Sequence, residues 1–306
     1  PRVGSGVSGP AGRGRPMNSI AEVRHHIGVV RDTGKITKAM YLISSAKMKK
    51  AMRMHDQNLI YLRRVRSGIR FIIESSNIKI RNPYYRQHGK KTGFLVIAGD
   101  KGLCGSYNSE VLKLARRTIM DGGLDVRRVF TVGHMAEDYI NRLGVKTDLD
   151  YVHIIQDPTL DNAREITMRF CELFRSKELD EVYVIYTIME KIGQWQPIVL
   201  RLLPILPEDF KDADIYHAPT GGLIFHPSAP EVLDAMVPDY LIGVVYSALV
   251  QSYACEHNAR MTAMDAATRN ANDMLSRLSL DLNHARQAVI TQEISEIIAG
   301  SPQPAQ

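Results

Sequence analysis

"VIAGDKGLCGSYN", Val96–Asn108, decides the reading of the fold: a hydrophobic strand empties into a glycine-rich turn and then into a polar helix start. Outward from it the pattern alternates. The spacing predicts strands over Phe94–Ala98, Val126–Val132, Tyr151–Ile155 and Val182–Ile188, separated by helices near Ser109–Met120, Met135–Leu143 and Leu160–Phe174. This βαβ order implies a mostly parallel sheet. Pro197, ahead of "IVLRLLP", marks a further strand at an edge, because proline donates no ladder hydrogen bond.

The glycine loop falls where an open α/β sheet binds a ligand, at the carboxyl end of its first strand. Its spacing does not suit a nucleotide. Gly99, Gly102 and Gly105 give GxxGxxG rather than GxGxxG, and "FTVGHM" ends the second strand without an acid. A phosphate loop needs Gly-Lys followed by Ser or Thr, and here Lys101 precedes Gly102. The loop Gly99, Asp100, Lys101, Gly102, Cys104 and Gly105 therefore reads as a tight turn whose glycines serve the backbone. Other chemistry is thin. HExxH and GxSxG are absent, and Cys104 has no local partner to activate it. His25 and His26 stand about 100° apart on a helix, which does not favour a shared metal. No catalytic residue, metal or cofactor is expected.

The chain has 306 residues, 44% hydrophobic and 24% charged, enough for one or two folded domains. Cys104, Cys171 and Cys255 lie far apart with no CxxC pair, so neither a disulfide framework nor a zinc site is suggested, and a reducing compartment is expected. No apolar run reaches the roughly 18 residues needed to span a bilayer, "YLIGVVYSALV" (Tyr240–Val250) being too short. The net charge of +6 suits nucleic acid, an anionic membrane or an acidic protein. Its distribution says more. From Thr33 to Ile73 the only acid is Asp56, against ten bases that include Lys47, Lys49 and Lys50.

Residues 1–16 are rich in Gly, Pro and Ser and read as a disordered extension. A proline-free stretch follows, with Ser19 and Glu22 as a capping box and an apolar stripe through Ile20, Val23, Ile27, Val30, Ile36, Met40 and Ile43. A helix of roughly 55 residues would run about 80 Å. A second proline-free stretch, Asp239–Ser301, carries Leu275, Leu278, Leu282, Ala285 and Val289 in the seam positions of a coiled coil. The expected division is an extension (1–16), an N-terminal shaft helix (17–82), an α/β foot domain (83–228), a C-terminal shaft helix (229–301) and a tail (302–306). The fold class is α/β, a Rossmann-like domain between two long terminal helices that pair as an antiparallel coiled coil, giving a rod with a globular foot.

"SIAEVRHHIGVVRDTGKITKAMYLISSAKMKKA" (Ser19–Ala51), "GDKGLCGSYN" (Gly99–Asn108) and "ARMTAMDAATRNANDMLSRLSLDLNHARQAVITQEISEIIAG" (Ala259–Gly300) strongly resemble the gamma subunit of F-type ATP synthase, in the family's order. The resemblance implies a central shaft that couples ion flow through the membrane c-ring to ATP synthesis or hydrolysis at the beta subunits. It implies alpha, beta, epsilon and the c-ring as partners, with no catalytic site on this chain and no membrane span of its own. By the same resemblance Met40, Lys47, Lys49 and Lys50, and Arg286, Gln287, Thr291 and Glu293, meet beta loops. Gly99, Asp100, Lys101, Gly102, Cys104 and Gly105 shape the foot. Small residues Ser44, Ser45 and Ala46 allow close helix approach beside the lysines. The implied location is the cytoplasmic side of a bacterial cell membrane, or alternatively the matrix side of the mitochondrial inner membrane. Two departures stand out: Arg269 occupies a position where the family more often has an acid, and Ile205–Pro219 lacks the paired thiols of redox-regulated members. The rival reading, a basic coiled coil that binds nucleic acid through the Thr33–Ile73 face, leaves the "RQAVITQEI" segment without a use.

Overall fold

The computed structural model describes residues 20–76, 83–85, 89–148, 150–151, 153–191, 193–214 and 225–300. The expected extension, the Ser19 cap and the tail lie outside them. In chain order the elements are α1 (Ile20–Ser76), β1 (Lys91–Ile97), α2 (Tyr107–Arg116), β2 (Asp125–Val132), α3 (His134–Arg142), β3 (Asp150–Tyr151), α4 (Leu160–Arg175), β4 (Glu181–Lys191), β5 (Gln194–Leu203) and α5 (Ala229–Gly300). They divide between two compact units, one comprising residues through Lys38 together with those from Ala266 on, the other Ala39–Asp265.

The second unit is built on a five-stranded sheet of order β3-β2-β1-β4-β5. β1 pairs in parallel with both β2 and β4, and β5 runs antiparallel along β4 as the edge. Pro197 sits opposite Thr187 in that edge strand, where its missing N–H costs no central hydrogen bond. β1 is buried on both faces, as a parallel sheet covered by helices requires. Leu95 and Ile97 join the core beneath α4 and the buried faces of α1 and α5, while Phe94 and Val96 join the core beneath α2 and α3. The expected strand Tyr151–Ile155 is shorter than its apolar run suggests. β3 stops at Tyr151, His153 takes a left-handed backbone (φ 74°), and Ile154–Gln156 form a single 3₁₀ turn.

α5 has the length and composition to cross a membrane, but its apolar stretch is core: Leu241, Val245, Leu249 and Val250 are buried against the sheet. From Ser252 to Arg260 every residue of α5 is buried, including Glu256, His257, Asn258 and Arg260. A helix buried all round is normally apolar throughout. Charge in that position marks the place that matters.

In the first unit α1 and α5 pair antiparallel. Thr37 Oγ1 lies 2.9 Å from Thr268 Oγ1, and a methyl added at Gly34 would lie 3.5 Å from that of Ala271. Leu275, Leu278, Leu282 and Ala285 are the half-buried positions of that stretch of α5, in agreement with the seam, whereas Val289 is exposed. At this register Ile20 lies level with Ala285, and every residue from Arg286 to Ile298 is exposed. The α1 stripe departs from expectation after Val30. Ile36 and Ile43 are 62% and 57% exposed, and the buried line runs Val23, Val30, Thr37, Ser44, Ala51 in steps of seven. Small polar residues replace large apolar ones on that line, consistent with the close approach at Gly34.

Candidate functional site

In an open α/β sheet the ligand crevice lies beyond the carboxyl ends of the strands where the chain switches direction, which in the order β3-β2-β1-β4 is between β1 and β4. Here α5 occupies it. Ser252 Oγ accepts from Thr187 N of β4 at 3.4 Å, and Cys255 Sγ donates to Thr187 O at 3.7 Å. Cys104, Tyr107, Cys255 and Ala259 pack into one small core at that end.

The glycine loop is fastened to this helix by a buried ion pair. Arg260 Nη2 donates to Glu256 Oε1 at 2.6 Å, with side chains only 9% and 7% exposed, and also to Gly102 O at 3.1 Å and Lys101 O at 3.4 Å. Asn108 closes the loop from its other end, accepting from Gly99 N at 2.9 Å and donating to Lys101 O and Cys104 Sγ. Gly99 is required by closeness, since a β-carbon there would lie 2.9 Å from Glu256 Cδ, and Gly105 by its φ of 58°. Asp100 ties the loop to α3 and to the 154–156 turn. Its Oδ1 accepts from His134 N, capping α3 in place of Gly133, and its Oδ2 accepts from Gln156 Nε2 at 2.8 Å.

Burial sets the electrostatics. Burial pushes the Glu256 carboxyl up, and Arg260 opposes that shift. His257 is pushed down to about 3 by burial and by the neighbouring Arg260 and Lys47, so it is neutral at physiological pH. Burial pushes the Cys104 and Cys255 thiols up, Cys255 to about 12, which keeps both unreactive. This constellation holds a loop; it activates no nucleophile.

Of the other expected residues, Lys47 borders the glycine loop across a small cavity, while Arg286, Gln287, Thr291 and Glu293 belong to the first unit. Met40 is half-buried, and Lys47 and Lys49 are exposed on α1. Lys50 forms an exposed ion pair with Asp157 at 3.0 Å. Arg286, Gln287, Thr291 and Glu293 are exposed on α5. Sequence reasoning missed Glu256, Arg260 and Asn108. The signal was present, because an i,i+4 acid–base pair, Glu256 and Arg260, follows on the apolar stretch of helix from Leu241 to Val250.

Fold and site together define a class: an α/β domain carried between two long terminal helices, its ligand crevice closed by its own C-terminal helix. A family model described as ATP synthase matches residues 19–302. The ATP synthase gamma chain of Ruminiclostridium cellulolyticum is 39% identical over 294 residues, 93% of this chain and 98% of the relative. That of Caldanaerobacter subterraneus is 37% identical over 92% of this chain and 98% of the relative. Among solved structures, a chain of the Tetrahymena thermophila mitochondrial ATP synthase central stalk and c-ring aligns with TM-score 0.59 at 23% identity, over 76% of this chain and 99% of that one. A chain of the Euglena gracilis mitochondrial ATP synthase OSCP/F1/c-ring structure aligns with TM-score 0.61 at 15% identity, over 94% and 98%. The structural likeness is one of fold. The sequence likeness shows that the chain belongs to the ATP synthase gamma chain family.

Proposed function

We propose that the chain is the rotating central shaft of a membrane-associated ATP synthase, a non-catalytic subunit that carries torque between the c-ring and the catalytic beta subunits. One observation carries the mechanical reading. The crevice in which related α/β folds hold a ligand is closed by α5 and locked by the Glu256–Arg260 pair, so the domain is fixed to the helix that must turn with it. Met40, Lys47, Lys49 and Lys50 would meet an acidic beta loop, where unlike charges steer and orient the contact. Arg286, Gln287, Thr291 and Glu293 would meet beta loops further along α5. Epsilon and the c-ring would take the α/β domain, on the cytoplasmic face of a bacterial membrane. Each charge crossing about 100 mV releases roughly 2.3 kcal/mol, so several charges per ATP load the shaft heavily and favour a rigid joint.

The test is assembly and rotation. The full chain, co-expressed with alpha and beta subunits, should co-purify with them and turn during ATP hydrolysis when its α/β domain carries a bead. Failure to assemble, or hydrolysis with the bead at rest, would overturn the proposal.

A further inference from the structure

α5 does not fill the crevice completely. A cavity of about 90 Å³ remains between α1, the glycine loop, the 154–156 turn and α5. A single water needs about 10–15 Å³ of such space, so the cavity holds several waters or one small tetrahedral ion. Nucleotide-sized pockets begin near 300 Å³. A nucleoside does not fit within it.

The lining chooses among small occupants. Lys47 and Lys101 both border the cavity, and neither ammonium forms a hydrogen bond or ion pair among the described residues. Behind them lies Arg260, 8% exposed. Arg260 Nη1 faces His257 Nδ1 at 3.4 Å, and because a guanidinium only donates, Nδ1 is the acceptor and the ring proton sits on Nε2 as a spare donor. Two carboxylates oppose an anion, and both are already engaged. Asp100 accepts from His134 N and Gln156 Nε2, and Glu256 accepts from Arg260. Three cations against two carboxylates leave one positive charge in surplus.

We propose that this cavity binds a small oxyanion of the inorganic phosphate class, held by Lys47 and Lys101 above the buried Arg260. The site lies beyond the carboxyl end of β1, on the side of the 154–156 turn. The inference goes beyond the shaft reading and does not rest on it, since it concerns only residues within one compact unit.

Calorimetry of the full chain with inorganic phosphate, at ionic strength fixed with chloride, tests it. Saturable one-site binding is expected, with Kd on the order of 1 mM. Lys47→Gln with Lys101→Gln should weaken it at least tenfold, while Arg53→Gln, on α1 outside the cavity, should leave it unchanged. Asp100→Asn keeps the side-chain shape and removes a lining negative charge, so binding should tighten several-fold, a direction that loosened packing would not give. Adenosine, which carries no phosphate, should not bind. The proposal is overturned by absence of saturable binding at ten times that concentration, by a lysine double variant that binds like wild type, or by adenosine binding as tightly as phosphate. Loss of the site on assembly with alpha and beta would assign the lysines to a partner's carboxylate and would overturn it too.

Discussion

Arg260 makes three kinds of contact from one guanidinium: a buried carboxylate, two loop carbonyls and the edge of a neutral imidazole. Arg260→Ala would strip Glu256 of its counter-charge in a site that is nine-tenths buried, a loss on the order of 3–5 kcal/mol. Urea unfolding of the full chain should show it as a lower midpoint with unchanged slope. Arg260→Lys should recover only part, because an ammonium lacks the fork that spans carboxylate and carbonyls. His257 gives a prediction with a sign. Its folded pKa, about 3, lies below the ordinary 6.5, so its neutral form contributes stability that is present above about 6.5 and lost as pH falls. Between pH 7 and pH 5 wild type should lose about 2 kcal/mol relative to His257→Gln, at roughly 1.4 kcal/mol per pH unit once the unfolded imidazole is protonated. Equal pH dependence of the two chains in urea would refute this. Glu256, whose pKa is raised, works in the opposite direction nearer pH 4.5, and the comparison of two chains cancels it. At this scale the loop is legible from the residues but its lock is not. The glycine spacing marks Gly99–Gly105 as a tight turn, yet the reason the crevice is closed lies some 150 positions further along the chain, in a contact that spacing cannot reveal.

At the scale of elements, what was legible depended on whether burial followed hydropathy. The βαβ order, the edge strand with Pro197 and the existence of both long helices were all readable, because each rests on periodicity or on proline chemistry. The phase of the α1 seam was not, since Thr37 and Ser44 are buried at 8% and 2% while Ile36 and Ile43 face outward. Hydropathy ranks these the wrong way round; the helices approach too closely for a large side chain at the seam. β3 failed for a different reason, a left-handed His153 that brings Gln156 back to Asp100. Thr37 and Thr268 offer a direct test of the polar seam in the first unit, where their hydroxyls meet at 2.9 Å. A double-mutant cycle with Thr37→Val and Thr268→Val should return a coupling of about 1 kcal/mol, with the double variant less destabilised than the sum of the singles, because either single already removes the contact between the two hydroxyls. Strict additivity would mean that the two hydroxyls do not depend on one another.

For the molecule as a working part, folding and function should separate at the end of α5. Residues Arg286 to Ile298 are exposed, and at the observed register they extend beyond Ile20, the first described residue of α1. Substitution there removes no core contact, so its effect on the stability of the chain should stay within about 0.5 kcal/mol. A bearing segment would nevertheless need polar groups to engage surrounding loops, and Arg286 and Glu293 share one face of α5 while Gln287 and Thr291 share another. Ile290 and Ile294, 53% and 52% exposed, stand among them as apolar surface without cover among the described residues. On the shaft reading, Arg286→Ala with Gln287→Ala should lower steady-state ATPase of the reconstituted complex by about tenfold, since a hydrogen bond to a charged group is worth about 1.5–3 kcal/mol and 1.4 kcal/mol is one decade in rate. Helix content by circular dichroism should be unchanged, which distinguishes a lost contact from a lost fold. Lowered ATPase with intact helix places the bearing at this segment, whereas turnover at the wild-type rate would remove Arg286 and Gln287 from it and leave the joint at Glu256 and Arg260 as the part of the chain on which torque depends.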